Sequence, residues 1–187
     1  MPLPHPLFVP ECYADTALML TLLRENAANE KELARYVNHQ HGIGNVGRVM
    51  EAEGTGRRVV GLVDLDKKFH EQPYLAQFRL LAGSLERNAQ SHALLRHPAR
   101  PTQYLLALNP AFETWLADRA AELGTTLAAC GLPDDSKAFK THSRMHGLKR
   151  HGPLRQLLNT IATARHPAYA APASFIAAIM HLEGPLP

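Results

Sequence analysis

Long apolar runs, cysteines and nucleotide-binding fingerprints are all scarce in this chain. None of the 187 residues falls in a stretch of about twenty apolar residues, the length needed to span a bilayer, so no helical membrane span is expected. The Pro-rich opening, Met1 to Pro6, has neither the basic flank nor the apolar segment of a signal peptide. Only two cysteines occur, Cys12 and Cys130, at no metal-ligand spacing, and one pair in a chain this long is no disulfide framework. A soluble protein of the reducing cytoplasm is therefore expected. No Gly-Lys-Ser or Gly-Lys-Thr follows its glycines, which excludes a P-loop, and the three glycines of a dinucleotide fingerprint are missing. Aromatic residues make up 6%, with no aromatic-basic pattern of an RNA-binding module.

What is present fits one compact domain or a core with a small extension: 45% hydrophobic and 20% charged residues. The net charge of +3 and pI near 9.0 are mild, but the charges are unevenly placed. Acids gather at Glu11, Asp15, Asp64 and Asp66, while Lys137, Lys140, Arg144, Lys149, Arg150 and Arg155 make the later part basic. An acidic centre with basic surroundings suits metal-assisted handling of a polyanion, carboxylates holding the metal and cations the flanking phosphates.

Leu7-Phe8-Val9 reads as a short strand ending at Pro10-Glu11, and Asp15 to Arg24 carries apolar residues at helical density. Arg35 to His39 reads as a second strand, His41 to Asn45 as a turn, and the residues through Val46, Val49 and Met50 as a helix. Arg58 to Val63 is the clearest strand; its unbroken apolar run predicts burial on both faces. Strands alternating with helices predict a parallel sheet with right-handed crossovers. Glu11, Gly42 to Asn45, and Asp64 with Asp66 then all fall at strand carboxyl ends, where open α/β sheets bind ligands. Further on, Tyr74 to Arg87 reads as a helix, Tyr104 to Leu108 as a buried strand and Ala111 to Leu123 as a helix. Helices are also expected at Leu154 to Ala164 and Ala173 to His181, with Pro133 to Ser136 as loop or cap. The organisation expected is a core over 1–130 and a basic helical extension over 131–187 packed on it.

Asp64 and Asp66 stand two apart at a strand end, and in extended chain such side chains share a face. Two carboxylates so placed can hold hard cations of the magnesium or manganese type, though turn or cap duty would also explain them. Glu11 follows an independent strand and would complete the metal site or transfer a proton. Asp15 would face it from the first helical turn, where an acid is also favoured by the helix dipole. Gly42 and Gly44 permit tight backbone before a helix that Asn45 could cap, leaving N–H groups for a phosphate. His142 and His146, four apart, have no Glu between them; with eleven histidines in the chain this spacing is read as coincidence.

Together these segments resemble one family. Leu7-Phe8-Val9-Pro10-Glu11-Cys12-Tyr13-Ala14-Asp15 is similar to the opening of the TOPRIM domain, an apolar strand followed by Glu-Gly-x-x-Asp. Gly42-Ile43-Gly44-Asn45-Val46 resembles its glycine-rich element, and Val59-Val60-Gly61-Leu62-Val63-Asp64-Leu65-Asp66 its strand-borne Asp-x-Asp. The resemblance covers the first third to half of the chain and is closest to small TOPRIM-like proteins and to the nuclease half of the overcoming-lysogenization-defect group. Cys12 departs from it, standing where the family has glycine.

The resemblance implies a Rossmann-like α/β fold with a mainly parallel sheet, and a Mg2+- or Mn2+-dependent nuclease or related phosphoryl-transfer enzyme. The roles it carries over are acid, base or metal ligand for Glu11, and metal ligands for Asp64 and Asp66. A later acid and a lysine are also used in that group. Glu113, in the first turn of a helix after a buried strand, is the candidate acid, although the helix dipole alone would favour it. Lys140 and then Lys149 are the candidate lysines, each equally readable as a solvated or phosphate-binding face. Trp115 is read as core. The partners expected are nucleic acid, DNA ahead of RNA, and a separate ATPase or a second copy of the chain, with phage defence or DNA repair as a more distant extension. Two alternatives stand beside the nuclease: a non-catalytic TOPRIM module that binds nucleic acid or nucleotide in an assembly, and a small TOPRIM ribonuclease.

Overall fold

The computed structural model describes residues 5–24, 33–54, 56–86, 91–143, 145, 147 and 152–181. Five strands form one sheet in the order β1-β2-β5-β4-β3: β1 (Leu7–Pro10), β2 (Val59–Asp64), β3 (Arg79–Gly83), β4 (Ser91–His97) and β5 (Arg100–Asn109). β1, β2 and β5 run parallel; β4 and β3 continue the sheet antiparallel. Helices cover both faces: α1 (Tyr13–Arg24), α2 (Ile43–Glu53), α3 (Lys67–His70), α4 (Phe112–Glu122), α5 (Ser136–His142), α6 (Gly152–Ala164) and α7 (Pro167–His181). This is a Rossmann-like α/β arrangement. None of these helices is long and apolar enough to cross a membrane.

The two-residue period of the parallel strands sorts their side chains into two cores. Phe8, Val60, Leu62, Tyr104, Leu106 and Leu108 face α1, α4, α6 and α7. Leu7, Val9, Val59, Val63, Leu105 and Ala107 face α2 and α3. Burial on both sides explains why these strands read as continuous apolar runs. α1 is buried nearly all round, from Ala14 to Leu23, because α6 and α7 lie over it. Leu154, Leu158, Ile161 and Ile176 thereby share a core with Phe8 and Leu18, so the segment beyond 131 is built into the same interior as the sheet.

Two polar or minimal side chains fix how α2 sits. A Cβ on Gly61 would come within 2.6 Å of Leu105 Cδ2 and 2.8 Å of Met50 Sδ, so a side chain there would push the helix off β2. Buried Gln103 on β5 donates to the carbonyls of Met50 (2.7 Å) and Gly54 (2.6 Å) and accepts from the Tyr74 hydroxyl (2.5 Å).

Three sequence expectations need correction. Arg35 to His39 is no ladder strand: Ala34–Tyr36 is a 3-10 turn, and only Val37 bridges to Phe8. Asn38 and Gln40 nevertheless donate backbone bonds to the carbonyls of Phe8 and Pro10, so the segment lies along the open edge of β1. Tyr74 to Arg87 is not a helix; a 3-10 turn at Leu75–Gln77 leads into β3, while Arg87 lies outside the described residues. β3 is exposed along its whole length and so shows no one-sided alternation. β4 was not foreseen at all, because Ala93, Leu94 and Leu95 are helix formers that only burial on both faces turns into strand.

Candidate active site

Four acids reach one rim from four segments. Glu11 is the first residue past β1, and its backbone N–H donates to Leu62 O on β2 at 3.0 Å, which sets it beside the strand that ends in Asp64. Its own carbonyl accepts from Gly42 N at 3.2 Å, bringing the start of α2 to the same place. Burial raises the pKa of Glu11; backbone hydrogen bonding with Asp64 and Ile43 works against this, and the charge of Asp66 adds to it.

Asp15 and Cys12 cap the start of α1 reciprocally. Asp15 Oδ2 accepts from Cys12 N at 3.0 Å, and Cys12 Sγ accepts from Asp15 N at 3.5 Å. The arrangement is a capping box in which sulfur does the work of the usual hydroxyl. Where glycine was expected, Cys12 therefore has a structural use. Burial pushes its thiol pKa far up, so it is no thiolate nucleophile. Asp15 itself is 1% exposed, and its second oxygen, Oδ1, is buried with no hydrogen-bond partner. Burial first, then the charge of Glu11, pushes its pKa up to about 8.

Asp64 and Asp66 divide their duties. Asp64 Oδ1 accepts from Phe112 N at the start of α4 (2.8 Å), whereas Asp66 Oδ1 accepts from Lys68 N and caps α3 (2.8 Å). Asp66, still extended at φ −89° and ψ −177°, is the N-cap of the short helix that follows the strand, the cap duty that the sequence also allowed. Burial, then the charges of Asp15, Glu11 and Glu113, raise the pKa of Asp64 well above the carboxylate range. These mutual influences place Asp64, Asp15, Glu11 and Glu113 in one electrostatic cluster.

Glu113, buried in the first turn of α4, pairs with Lys140 on α5, Nζ to Oε1 at 3.2 Å. Half of the Lys140 side chain is exposed. Its ammonium is stabilised chiefly by Glu113, with Asp64 and Asp66 contributing, so it stands at the mouth of the acidic cluster. Asp135 holds the start of α5 by accepting from Ala138 N at 2.7 Å. The other expected lysine, Lys149, and His146 lie outside the described residues.

The glycine-rich element also needs correction. α2 starts at Ile43, so its N-cap is Gly42, at φ +108°, a conformation that disfavours any side chain. Asn45 is inside the first turn; its Nδ2 donates to His41 O at 3.1 Å and its Oδ1 accepts from Arg48. It is not the cap. Gly44 faces Gln72, whose Oε1 would lie 3.3 Å from an added Cβ.

Beside Glu11 opens a cavity of about 560 Å³, bounded by Tyr13, His39, His41, Lys68 and the Gly42 to Asn45 turn. Tyr13 and His39 are stacked at 4.1 Å, and His41 stands edge-on to His39 at 4.7 Å. Thr16 Oγ1 lies 3.0 Å from His39 Nδ1, fastening this segment to α1. Sequence reading missed these rings; their signal, His-x-His directly before Gly42, was lost among the other histidines.

No family model, curated protein or solved structure matches this chain. The site must be read from its own chemistry. Oδ1 of Asp15 and Oε2 of Glu11 are both buried without a hydrogen-bond partner. Buried anionic oxygens lacking donors demand either a proton or a cation. Among the described residues, however, no three acidic, imidazole or thiol groups stand close enough to hold one metal ion as the side chains lie.

Proposed function

We propose that the chain is a Mg2+- or Mn2+-dependent phosphodiesterase of the TOPRIM type, a nuclease acting on nucleic acid. The observation that carries this reading is the cluster of buried Asp15 and Glu113 with half-buried Glu11 and Asp64, two of whose oxygens are buried with no donor. A divalent cation fits that charge demand and the all-oxygen donor set. Glu11, Asp15 and Asp64 would hold it, with Asp66 and Glu113 flanking, after drawing closer than they now lie. Bound there, such an ion polarises a phosphoryl oxygen and lowers the pKa of water.

The remaining work falls to the chain itself. Lys140, at the mouth of the cluster and half exposed, would hold a non-bridging phosphate oxygen and offset charge that builds on the phosphorane. Where Glu11 is not itself a ligand of the ion, it would take the proton from the attacking water. Glu113 fixes Lys140 in place. Lys68 and the start of α2, which line the cavity beside Glu11, would meet the flanking phosphate.

The test is hydrolysis of single-stranded DNA, duplex DNA and RNA with Mg2+ or Mn2+, comparing the parent chain with Asp64→Asn. Asn keeps an acceptor for Phe112 N, so the fold should survive while turnover is lost. Parent turnover that Asp64→Asn leaves intact overturns the reading. The lack of three groups poised around one ion favours a second reading, a non-catalytic nucleic-acid-binding module. Equal nucleic-acid binding by both chains, with no turnover by either, is its mark. Preference for RNA in the same assay would make the chain a ribonuclease.

A further inference from the structure

The cavity beside Glu11 is not needed to bind a cation, yet it opens next to the acids. Its volume of about 560 Å³ is that of a site for one small ligand rather than a groove for a rod. Rings form one wall: Tyr13 and His39 stacked at 4.1 Å, with His41 exposed at the rim. Lys68, exposed, adds a cation to the lining. Glu11 belongs both to this cavity and to the acidic cluster, so a ligand seated here lies one step along a strand from the reacting phosphate.

We propose that this cavity receives one unpaired nucleotide next to the scissile phosphate, so that unpaired strands, not continuous duplex, are the substrate. The inference rests on the phosphodiesterase reading and names its substrate class. Bases stack on aromatic and imidazole rings with little regard to sequence, and the backbone phosphate is held by a cation. A base within a duplex must first be unstacked and unpaired, at a cost of a few kcal/mol; a base in a single strand avoids most of that cost. A ring-walled cavity for a single nucleotide thus selects against duplex without touching a second strand.

The experiment is fluorescence anisotropy of a labelled single-stranded DNA 12-mer and a hairpin duplex of the same sequence, on the full chain carrying Asp64→Asn. Single strand should bind at least tenfold tighter than duplex. His41→Ala and Lys68→Ala, at exposed positions, should each weaken single-strand binding about tenfold, and His41→Ala should leave duplex binding unchanged. His41→Phe, which keeps a ring, should retain most of the affinity. Equal binding of the two DNAs, binding of neither, an unaffected His41→Ala chain, or a His41→Phe chain as weak as His41→Ala each overturns the proposal. A parent chain that cleaves DNA but fails these comparisons keeps its nuclease reading and loses the pocket. A chain that binds single strands through His41 yet hydrolyses nothing does the reverse.

Discussion

Alkaline solution should weaken this fold through Asp15. The carboxyl is 1% exposed and burial, with Glu11 close by, takes its pKa from the ordinary 3.8 to about 8. Because the folded state holds this proton more tightly than the unfolded one, the contribution is fully present below pH 3.8 and is lost as pH rises through about 8. Each pH unit across that interval costs about 1.4 kcal/mol, so the whole interval corresponds to about 6 kcal/mol if nothing relaxes. Glu11 and Asp64, also raised, act in the same direction. For a domain of this size about 1 kcal/mol moves Tm by 2–4 °C, and a fall of at least about 10 °C between pH 5 and pH 9 is expected. Asp15→Asn, which can still accept from Cys12 N, should lose at least half of that fall and be the more stable chain at pH 9. Thermal unfolding by circular dichroism over this range, in chelator, measures both. A parent Tm that stays level from pH 5 to pH 9, or an Asp15→Asn curve that falls in parallel with it, refutes the reasoning. Millimolar Mn2+ should raise the parent Tm at pH 8 and leave Asp15→Asn much less affected.

Other changes probe the remaining supports. Lys140→Met should cut turnover about 100-fold, as loss of a cation at the reacting phosphate does, and, by leaving buried Glu113 without this partner, should cost about 1–3 kcal/mol of stability; steady-state kinetics and a melting curve separate the two. Gly61→Ala forces a methyl against Leu105 and Met50 and should cost about 1–3 kcal/mol in urea unfolding. Gln103→Leu removes the partner of one buried carbonyl (Met50), one half-buried carbonyl (Gly54) and the Tyr74 hydroxyl, and should cost about 2–4 kcal/mol in the same assay.

The parallel half of the sheet was legible because its signals are local. Val59 to Val63 and Tyr104 to Leu108 are buried on both faces and read as strands from composition alone. That both deliver acids to the same rim followed from strand direction: Glu11 and Asp64 on adjacent strands, Glu113 just past β5. Cap duty at Asp66 was legible as well, since an Asp just past a strand end commonly accepts from the next helix's first amides. β3 and β4 were hidden for opposite reasons, one too exposed to alternate and the other made of helix formers. The cavity wall was invisible because His39 and His41 meet Tyr13 only after the segment folds back along β1. Nothing in linear spacing encodes that return.

The antiparallel hairpin of β3 and β4 lies at the opposite end of the sheet from Glu11, with β5 and β2 between. Its turn is nonetheless tied to the acidic rim: Asn109 Nδ2, at the end of β5 and four residues before Glu113, donates to the carbonyls of Ser84 (3.3 Å) and Glu86 (2.7 Å). An insertion into that turn would therefore pull on the residues that carry Glu113 into place, although the hairpin's strands lie at the far edge of the sheet.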